Sequence, residues 1–241
     1  MLPPQSSQRL ESLQADGFTT FDALICADAV TALRAIYDRI LSRELAAEGD
    51  RWLGEVTRQV MFPSRAHELF RCNEALDATR AIARGVFDGA EPFFSYDQLL
   101  YKPPGHPAET PWHQDMAYAR MPFSPPGYPC RDIRILQFWI ALDAVDAENG
   151  CMHFIAGRHL QPLLEHRVVS GRSDDQSRLL GIVRPAEVLD LAQAIACPLS
   201  AGGATLHLAG TPHFTPANRS KDRPRRAYII NYLHPALAPR G

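Results

Sequence analysis

From residue 93 onward the sequence consists of short apolar runs, rich in aromatic and β-branched residues, that proline and glycine separate from one another. Runs of this length with turn residues between them are typical of β-strands. The candidate strands are residues 96–102, 112–117, 133–142, 151–155, 204–208, 212–215 and 225–233. A succession of short strands predicts a β-sandwich or barrel. We therefore expect a mainly β fold.

The first 90 residues have a different pattern, which predicts helices. Apolar residues recur at spacings of three and four between Val30 and Leu45, as in an amphipathic helix that ends before Gly49. Asn73 is a suitable N-cap for a further helix, which Gly89 stops. We predict a mostly helical buttress over residues 1–90 and a β core over residues 93–234. Without an internal repeat or linker, residues 1–241 are predicted to form a single domain.

Three local features refine this prediction. Asn149 and Gly150 both tolerate positive φ, and the pair predicts a tight hairpin between two strands. Pro212 lacks a backbone donor, which predicts a sheet edge or a bulge beside it. Residues 121–129, which are dense in proline, and residues 160–196 do not fit the strand pattern. We expect both segments to be surface excursions and candidate lids over a pocket.

Composition excludes several classes of protein. The chain has 25 Lys plus Arg against 27 Asp plus Glu, so it lacks the basic excess of a nucleic-acid-binding protein. No apolar run approaches the roughly 18 residues of a membrane span, and the N-terminus does not resemble a signal peptide. Five cysteines are scattered without any C-x-x-C pair, which predicts reduced thiols. We expect a cytoplasmic protein that binds neither nucleic acid nor a membrane.

His113 and Asp115 are the strongest candidates for chemistry. Alternate residues of a strand share a face, so a strand here would bring the imidazole and the carboxylate together. His213 lies in another candidate strand, and two histidines with one carboxylate are the ligand set of non-haem Fe(II) oxygenases. The His-x-Asp pattern alone is weak, and a hydrogen-bonded pair without metal is the alternative. Downstream, Arg225 could grip a carboxylate bidentately.

Several longer motifs occur together along the chain. They are Asp16-Gly-Phe18, Tyr101-Lys-Pro-Pro-Gly105, Pro111-Trp-His-Gln-Asp115, Phe138-Trp-Ile-Ala-Leu-Asp143, Glu148-Asn-Gly-Cys-Met152, His213-Phe-Thr-Pro-Ala-Asn-Arg-Ser220 and Arg225-Arg-Ala227. In this order the sequence resembles the phytanoyl-CoA dioxygenase family of Fe(II)- and 2-oxoglutarate-dependent oxygenases. The resemblance covers roughly residues 10–234.

The resemblance implies a double-stranded β-helix, the cupin-like jelly roll, with flanking helices. It implies Fe(II), 2-oxoglutarate and O2 as cofactor and cosubstrates. By matching positions, the implied iron ligands are His113, Asp115 and His213. The residues implied around 2-oxoglutarate are Arg225 at its distal carboxylate, Thr215 with a hydroxyl beside it, and Gln98 and Trp139 at its border.

Two assignments keep an alternative. His207 competes with His213, but only His213 is followed by the matching pattern, so we predict that His207 lines the pocket or is hydrogen-bonded. An apparent insertion near Lys221 leaves Arg226 as the alternative to Arg225.

The predicted function is a dioxygenase that hydroxylates a small organic molecule, such as a natural product, an amino acid or a lipid-like acid. It would decarboxylate 2-oxoglutarate to succinate and CO2. The alternative is a jelly-roll protein that binds a metal or ligand without catalysis.

Overall fold

The computed structural model describes residues 4–53, 55–118, 133–170 and 179–239. The proline-dense candidate lid at residues 121–129 lies outside this part, as do Cys130 and residues 171–178 of the second candidate lid. The helices are α1 (Pro4–Asp16), α2 (Ala27–Leu41), α3 (Pro63–Ala66), α4 (Glu68–Arg71), α5 (Glu74–Val86) and α6 (Pro185–Val188). The strands are β1 (Phe18–Phe21), β2 (Asp50–Leu53), β3 (Thr57–Met61), β4 (Phe93–Lys102), β5 (Thr110–His113), β6 (Ile135–Ala141), β7 (Met152–Phe154), β8 (His166–Val168), β9 (Leu180–Ile182), β10 (Ile195–Cys197), β11 (Ala204–Leu208), β12 (His213–Thr215) and β13 (Arg225–Leu233).

The strands form two principal antiparallel sheets. The large sheet has seven strands in the order β1-β11-β6-β13-β4-β3-β2, and the small sheet has four in the order β10-β7-β12-β5. Strands β8 and β9 form a separate pair. The predicted mainly β class is confirmed, and the fold is the double-stranded β-helix, or cupin-like jelly roll, with flanking helices.

The main hydrophobic core lies between the helices and the outer face of the large sheet. Helix α2 presents Val30, Leu33, Tyr37 and Ile40 to it, as its apolar spacing predicts. Along β6, Leu136, Phe138 and Ile140 face this core, while the residues between them face the other way. Each such side chain stabilises the fold by about 1.5–3 kcal/mol when fully buried. The face of the large sheet toward the helices thus packs in the core, and its opposite face can form a site.

The predicted helix starts and strands are largely confirmed. The Asn73 side chain caps α5 by accepting a hydrogen bond from the Leu76 backbone at 3.0 Å. Each of the seven candidate strands overlaps an observed strand, but in candidate 112–117 only the first two residues lie in β5 and the residues from Asp115 onward form a turn of 3-10 helix. The register of β12 shifts between His213 and Thr215, which confirms the bulge that Pro212 predicts.

The predicted Asn149-Gly150 hairpin is wrong. The turn leads from β6 in the large sheet to β7 in the small sheet, and these two strands do not pair. Gly150 has a φ of 98°, and a Cβ there would lie 3.0 Å from the Pro216 carbonyl oxygen. The dipeptide therefore specifies a tight turn, but the next strand finds its partners elsewhere.

The predicted helical buttress also contains strands. Strands β1, β2 and β3, all within the first 90 residues, extend the large sheet at its two edges. Strands β2 and β3 have only four and five residues, about half of them polar, and an ion pair between Arg58 and Asp50 at 2.6 Å stabilises their pairing. Their strand conformation depends on docking against β4 rather than on local propensity.

Two findings bear on the class of protein. In the described part of the chain, none of the helices has the length and apolar character needed to cross a bilayer. The cysteines that the structure describes, Cys26, Cys72, Cys151 and Cys197, are free thiols.

Candidate active site

Two histidines of the small sheet converge with an aspartate that follows strand β5. His113 at the end of β5 and His213 at the start of β12 form a cross-strand pair, with ring centroids 4.1 Å apart. The Oδ1 atom of Asp115 lies 3.7 Å from His113 Nε2 and 3.9 Å from His213 Nε2. One donor atom from each of the three residues falls within 4.8 Å of the others, which suits a shared metal ion.

Asp115 reaches this position by a different route from the predicted one. Strand β5 ends at His113, and Asp115 begins a single turn of 3-10 helix, so alternation along a strand is wrong as the reason for their convergence. The buried side chain of Gln114 holds the bend. Its Nε2 donates to the Gly210 carbonyl at 2.7 Å, and its Oε1 accepts from the Leu164 backbone at 3.0 Å. These two hydrogen bonds stabilise the bend after β5, which directs Asp115 toward the histidines.

Both imidazoles are oriented for metal binding. His113 Nδ1 lies 2.8 Å from the Pro111 carbonyl oxygen, and His213 Nδ1 lies 2.9 Å from the Thr211 carbonyl oxygen. A carbonyl can only accept, so each Nδ1 carries the hydrogen and each Nε2 keeps a lone pair toward Asp115. Burial lowers the pKa of both histidines, against the opposing effect of the Asp115 carboxylate. Neutral imidazoles are the form that ligates a metal.

Residues of the large sheet donate hydrogen bonds to the second carboxylate oxygen of Asp115. Oδ2 accepts hydrogen bonds from Gln137 Nε2 at 2.8 Å and from His207 Nε2 at 3.1 Å. Burial alone would raise the pKa of Asp115, but His213, His207 and His113 together hold the pKa below its usual value. His207 lines the same cavity, so its predicted place as a pocket-lining, hydrogen-bonded histidine is confirmed.

A cavity of about 410 Å³ lies between the two sheets around these residues. This volume is typical of small-molecule sites. All seven residues predicted for the site line it: His113, Asp115, His213, Arg225, Thr215, Gln98 and Trp139. The sequence did not predict that strands β2 and β3 would form a further wall, with Arg51, Leu53, Thr57, Gln59 and Met61.

Arg225 brings a buried positive charge to the cavity. The residue is only 1% exposed, and its Nε and Nη2 atoms have no hydrogen-bond partner among the described residues. Its guanidinium carbon lies 5.7 Å from the centre of the Trp139 ring. Burial lowers the pKa of Arg225 to about 10, which leaves it charged at neutral pH. Burying a cation without an anionic partner destabilises a folded protein by several kcal/mol. We therefore expect an anionic ligand to bind beside Arg225.

Arg226 faces the opposite side of β13. Its side chain pairs with Asp143 at 3.0 Å and with Asp38 on α2 at 2.8 Å. Successive strand residues point to opposite faces, so only one of the two arginines can reach the cavity. The structure places Arg225 there.

Lys102 lies beneath Thr215, at the same end of the cavity. It is buried and pairs across the strands with Arg225. Its Nζ donates to Thr215 Oγ1 at 3.2 Å and to the Pro216 carbonyl oxygen at 3.1 Å. Burial lowers the pKa of Lys102 to about 6, and Arg225 contributes in the same direction. Because the Thr215 oxygen accepts this bond, its hydroxyl hydrogen remains available to an acceptor in the cavity.

Gln98 and Lys102 illustrate what the sequence did and did not reveal. Gln98 faces the cavity as predicted, and its Oε1 accepts a hydrogen bond from Gln59, which leaves its amide nitrogen as a donor. Lys102 belongs to the Tyr101-Lys-Pro-Pro-Gly105 motif, but its role was not predicted. That motif is the sequence feature from which a role for Lys102 could have been inferred.

The donor set fits iron, and the far end of the cavity fits a carboxylate. Two imidazoles and one carboxylate, with other positions open, are the ligands that suit non-haem Fe(II). The Nε and Nη2 atoms of Arg225, which have no partner among the described residues, and the hydroxyl of Thr215 suit an oxyanion. A molecule with a metal-chelating end and a distal carboxylate, such as 2-oxoglutarate, satisfies both ends.

Comparison with known proteins gives one consistent picture. Residues 13–227 match the family model described as phytanoyl-CoA dioxygenase (PhyH). The peroxisomal phytanoyl-CoA dioxygenase of Rattus norvegicus is 27% identical over 175 residues, which cover 67% of this chain and 49% of the relative. The chain thus spans about half the length of the curated relatives that it matches first.

Solved structures share the fold over most of the chain. EvdO2 from Micromonospora carbonacea var. aurantiaca, in complex with 2-oxoglutarate, is 30% identical with a TM-score of 0.75. The alignment covers 97% of this chain and 91% of EvdO2. AviO1 from Streptomyces viridochromogenes Tue57 is 22% identical with a TM-score of 0.68 over 100% of both chains, and it shows the fold alone.

Proposed function

This chain belongs to the phytanoyl-CoA dioxygenase family, and we propose that it is an Fe(II)- and 2-oxoglutarate-dependent dioxygenase that hydroxylates a small organic molecule. The observation that carries the proposal is the shared cavity. At one place it holds His113, Asp115 and His213 with their donor atoms together. At another it holds Arg225, a buried cation whose Nε and Nη2 atoms have no partner among the described residues. Metal and carboxylate anchors in one cavity are what 2-oxoglutarate requires.

The three ligands would each have a defined donor atom. His113 and His213 would bind Fe(II) through Nε2, because the backbone carbonyls hold their Nδ1 hydrogens. Asp115 would bind through Oδ1, because Oδ2 already accepts two hydrogen bonds. When bound, the iron would activate dioxygen with electrons from the decarboxylation of 2-oxoglutarate to succinate and CO2.

The other end of the cavity would hold the distal carboxylate of 2-oxoglutarate. Arg225 supplies the charge and Thr215 a hydroxyl donor, while Lys102 fixes the orientation of Thr215. Gln98 and Trp139 border this region and restrict the position of the bound acid. The 2-oxoglutarate complex of EvdO2 supports this proposal, since that protein is 30% identical to the chain.

A small substrate is consistent with the remaining space. The cavity of about 410 Å³ must accommodate 2-oxoglutarate as well as the substrate. The wall formed by β2 and β3 offers hydrogen-bonding groups on Thr57 and Gln59 and apolar surface on Leu53 and Met61. A natural product, an amino acid or a lipid-like acid of modest size would match such a wall.

We also propose that residues 1–241 act as one domain, since strands from both sides of residue 90 form the large sheet.

The test is a turnover assay with Fe(II), 2-oxoglutarate, labelled dioxygen and a panel of such small acids and natural products. We expect succinate formation coupled to a product that has gained one labelled oxygen atom. The Asp115→Ala variant should form no succinate because it lacks a ligand that the iron needs. A wild-type protein that binds both iron and 2-oxoglutarate, yet forms no succinate even at high enzyme concentration, would support the non-catalytic alternative.

A further inference from the structure

Four polar side chains lie side by side across the large sheet. His207 on β11 pairs with Gln137 on β6, Gln137 with Asn231 on β13, and Asn231 with Tyr96 on β4. Residues that pair directly across antiparallel strands share a face. We call these four residues the polar row. Three of them, His207, Gln137 and Tyr96, line the cavity of the candidate active site.

Within the polar row, Tyr96 and Asn231 both donate hydrogen bonds to Gln137. The Tyr96 hydroxyl donates to Gln137 Oε1 at 2.6 Å, and Asn231 Nδ2 approaches the same oxygen at 3.4 Å. With its oxygen occupied by these donors, the Gln137 amide presents Nε2 to Asp115 Oδ2 at 2.8 Å. The amide of Gln137 is therefore fixed in one of its two orientations.

His207 adds a second donor to the same oxygen. Its Nε2 lies 3.1 Å from Asp115 Oδ2, and an ionised carboxylate can only accept, so Nε2 carries the hydrogen. The polar row thus places two donors on Oδ2. No described residue of the row contacts Oδ1, the oxygen that faces the two candidate histidine ligands.

Folding alone does not account for four polar groups at this position. The adjacent row of the same face consists of Thr205, Trp139, Ile229 and Gln98, so its two central positions are apolar and buried where the polar row has Gln137 and Asn231. Well-packed apolar side chains stabilise a protein interior at least as well as buried polar networks do. The hydrogen bonds of the polar row end on the Asp115 carboxylate, through Gln137 and His207.

We propose that the polar row is a positioning device that holds Asp115 with only Oδ1 available to the metal. The inference rests on the proposed function. A carboxylate free to rotate can bind a metal through both oxygens, which would occupy a position that 2-oxoglutarate or dioxygen needs. His207, Gln137 and Tyr96 act through Asp115, so they are positioning residues and not ligands.

The test compares Co(II) binding to the wild type and to variants of the polar row, by competition with a chelator and by the visible spectrum of the bound ion. His207→Leu and Gln137→Leu each remove one donor to Oδ2. We expect each to weaken Co(II) binding about 10- to 100-fold, as loss of an outer hydrogen bond to a metal ligand commonly does. The spectrum should change as well, because the carboxylate is free to alter its mode of binding.

Two further variants separate positioning from general damage. His207→Gln keeps an amide donor near the place of Nε2, so it should restore most of the affinity. Thr205→Val changes a buried residue on the same strand and face, whose hydroxyl has no partner within the described part of the chain, so it should leave Co(II) binding unchanged. If a leucine variant does not fold, Tyr96→Phe removes only the hydroxyl that fixes Gln137 and should shift affinity and spectrum in the same direction.

Wild-type affinity and spectrum in the folded leucine variants would overturn the inference and leave the proposed function intact. Complete loss of Co(II) in His207→Leu, equal to that in Asp115→Ala, would also overturn it, because His207 would then be a ligand. A wild-type protein that binds no Co(II) would contradict the proposed function itself.

Discussion

Replacing either His113 or His213 with alanine should abolish stoichiometric binding of a divalent metal. The two Nε2 atoms and Asp115 Oδ1 are the converging donors, and each alanine variant leaves only two of the three. Loss of a residue that only hydrogen-bonds to a metal ligand already weakens metal binding about 10- to 100-fold. Loss of a ligand itself should weaken it by on the order of 100-fold or more. Metal content after dialysis, together with chelator competition, measures the effect.

His153 provides the matched control for both variants. It lies on β7 of the same small sheet, pairs with Phe214 of β12, and does not line the cavity. His153→Ala should therefore retain the metal. Full metal occupancy in both His113→Ala and His213→Ala would reject the proposed ligand set.

Replacing Arg225 with alanine should remove most of the affinity for 2-oxoglutarate and leave metal binding intact. Truncating one partner of a buried, hydrogen-bonded charge pair costs about 2–5 kcal/mol, which is about 30-fold or more in affinity. The effect should be large because Arg225 is only 1% exposed, so water cannot replace its guanidinium effectively. Titration of 2-oxoglutarate into the anaerobic, metal-loaded variant measures it.

Arg226→Ala is the control, since Arg226 neighbours Arg225 in the chain but faces α2. Its loss breaks the ion pairs with Asp143 and Asp38, so thermal stability should fall while 2-oxoglutarate affinity stays close to that of the wild type. Equal and small effects of the two variants on 2-oxoglutarate affinity would argue against a carboxylate anchor at Arg225.

The β core and the site residues were accessible from sequence because their signals are local. Short apolar runs mark the strands after residue 93, and the helical spacing that begins at Val30 marks α2, although the helix ends at Leu41 and not, as predicted, just before Gly49. The histidines, Asp115 and Arg225 occur in motifs that can be matched without knowledge of the fold.

What the sequence could not reveal depends on contacts between distant segments. The turn at Asp115 depends on bonds from Gln114 to residues 50 and 96 positions away. The strand conformation of β2 depends on its pairing with β3, and its four residues, Asp50-Arg51-Trp52-Leu53, show no alternation of apolar and polar residues to detect. The polar row exists only because four strands align in one register, which no single stretch of sequence specifies.

The same limitation explains the error at Asn149 and Gly150. The pair correctly indicates a tight turn with positive φ at Gly150. Whether the flanking strands then pair with each other is decided by the sheets that they join, and here they join different ones.

Calorimetric titration of 2-oxoglutarate into the wild-type protein, without oxygen and with or without bound Fe(II), measures whether the metal site and Arg225 hold 2-oxoglutarate together. We expect one 2-oxoglutarate per chain in the Fe(II)-loaded protein and much weaker binding to the metal-free protein. This follows because the triad of His113, Asp115 and His213 and the buried charge of Arg225 lie in one cavity and would hold the acid together. Absence of binding to the Fe(II)-loaded protein, or equal affinity with and without the metal, would contradict this expectation.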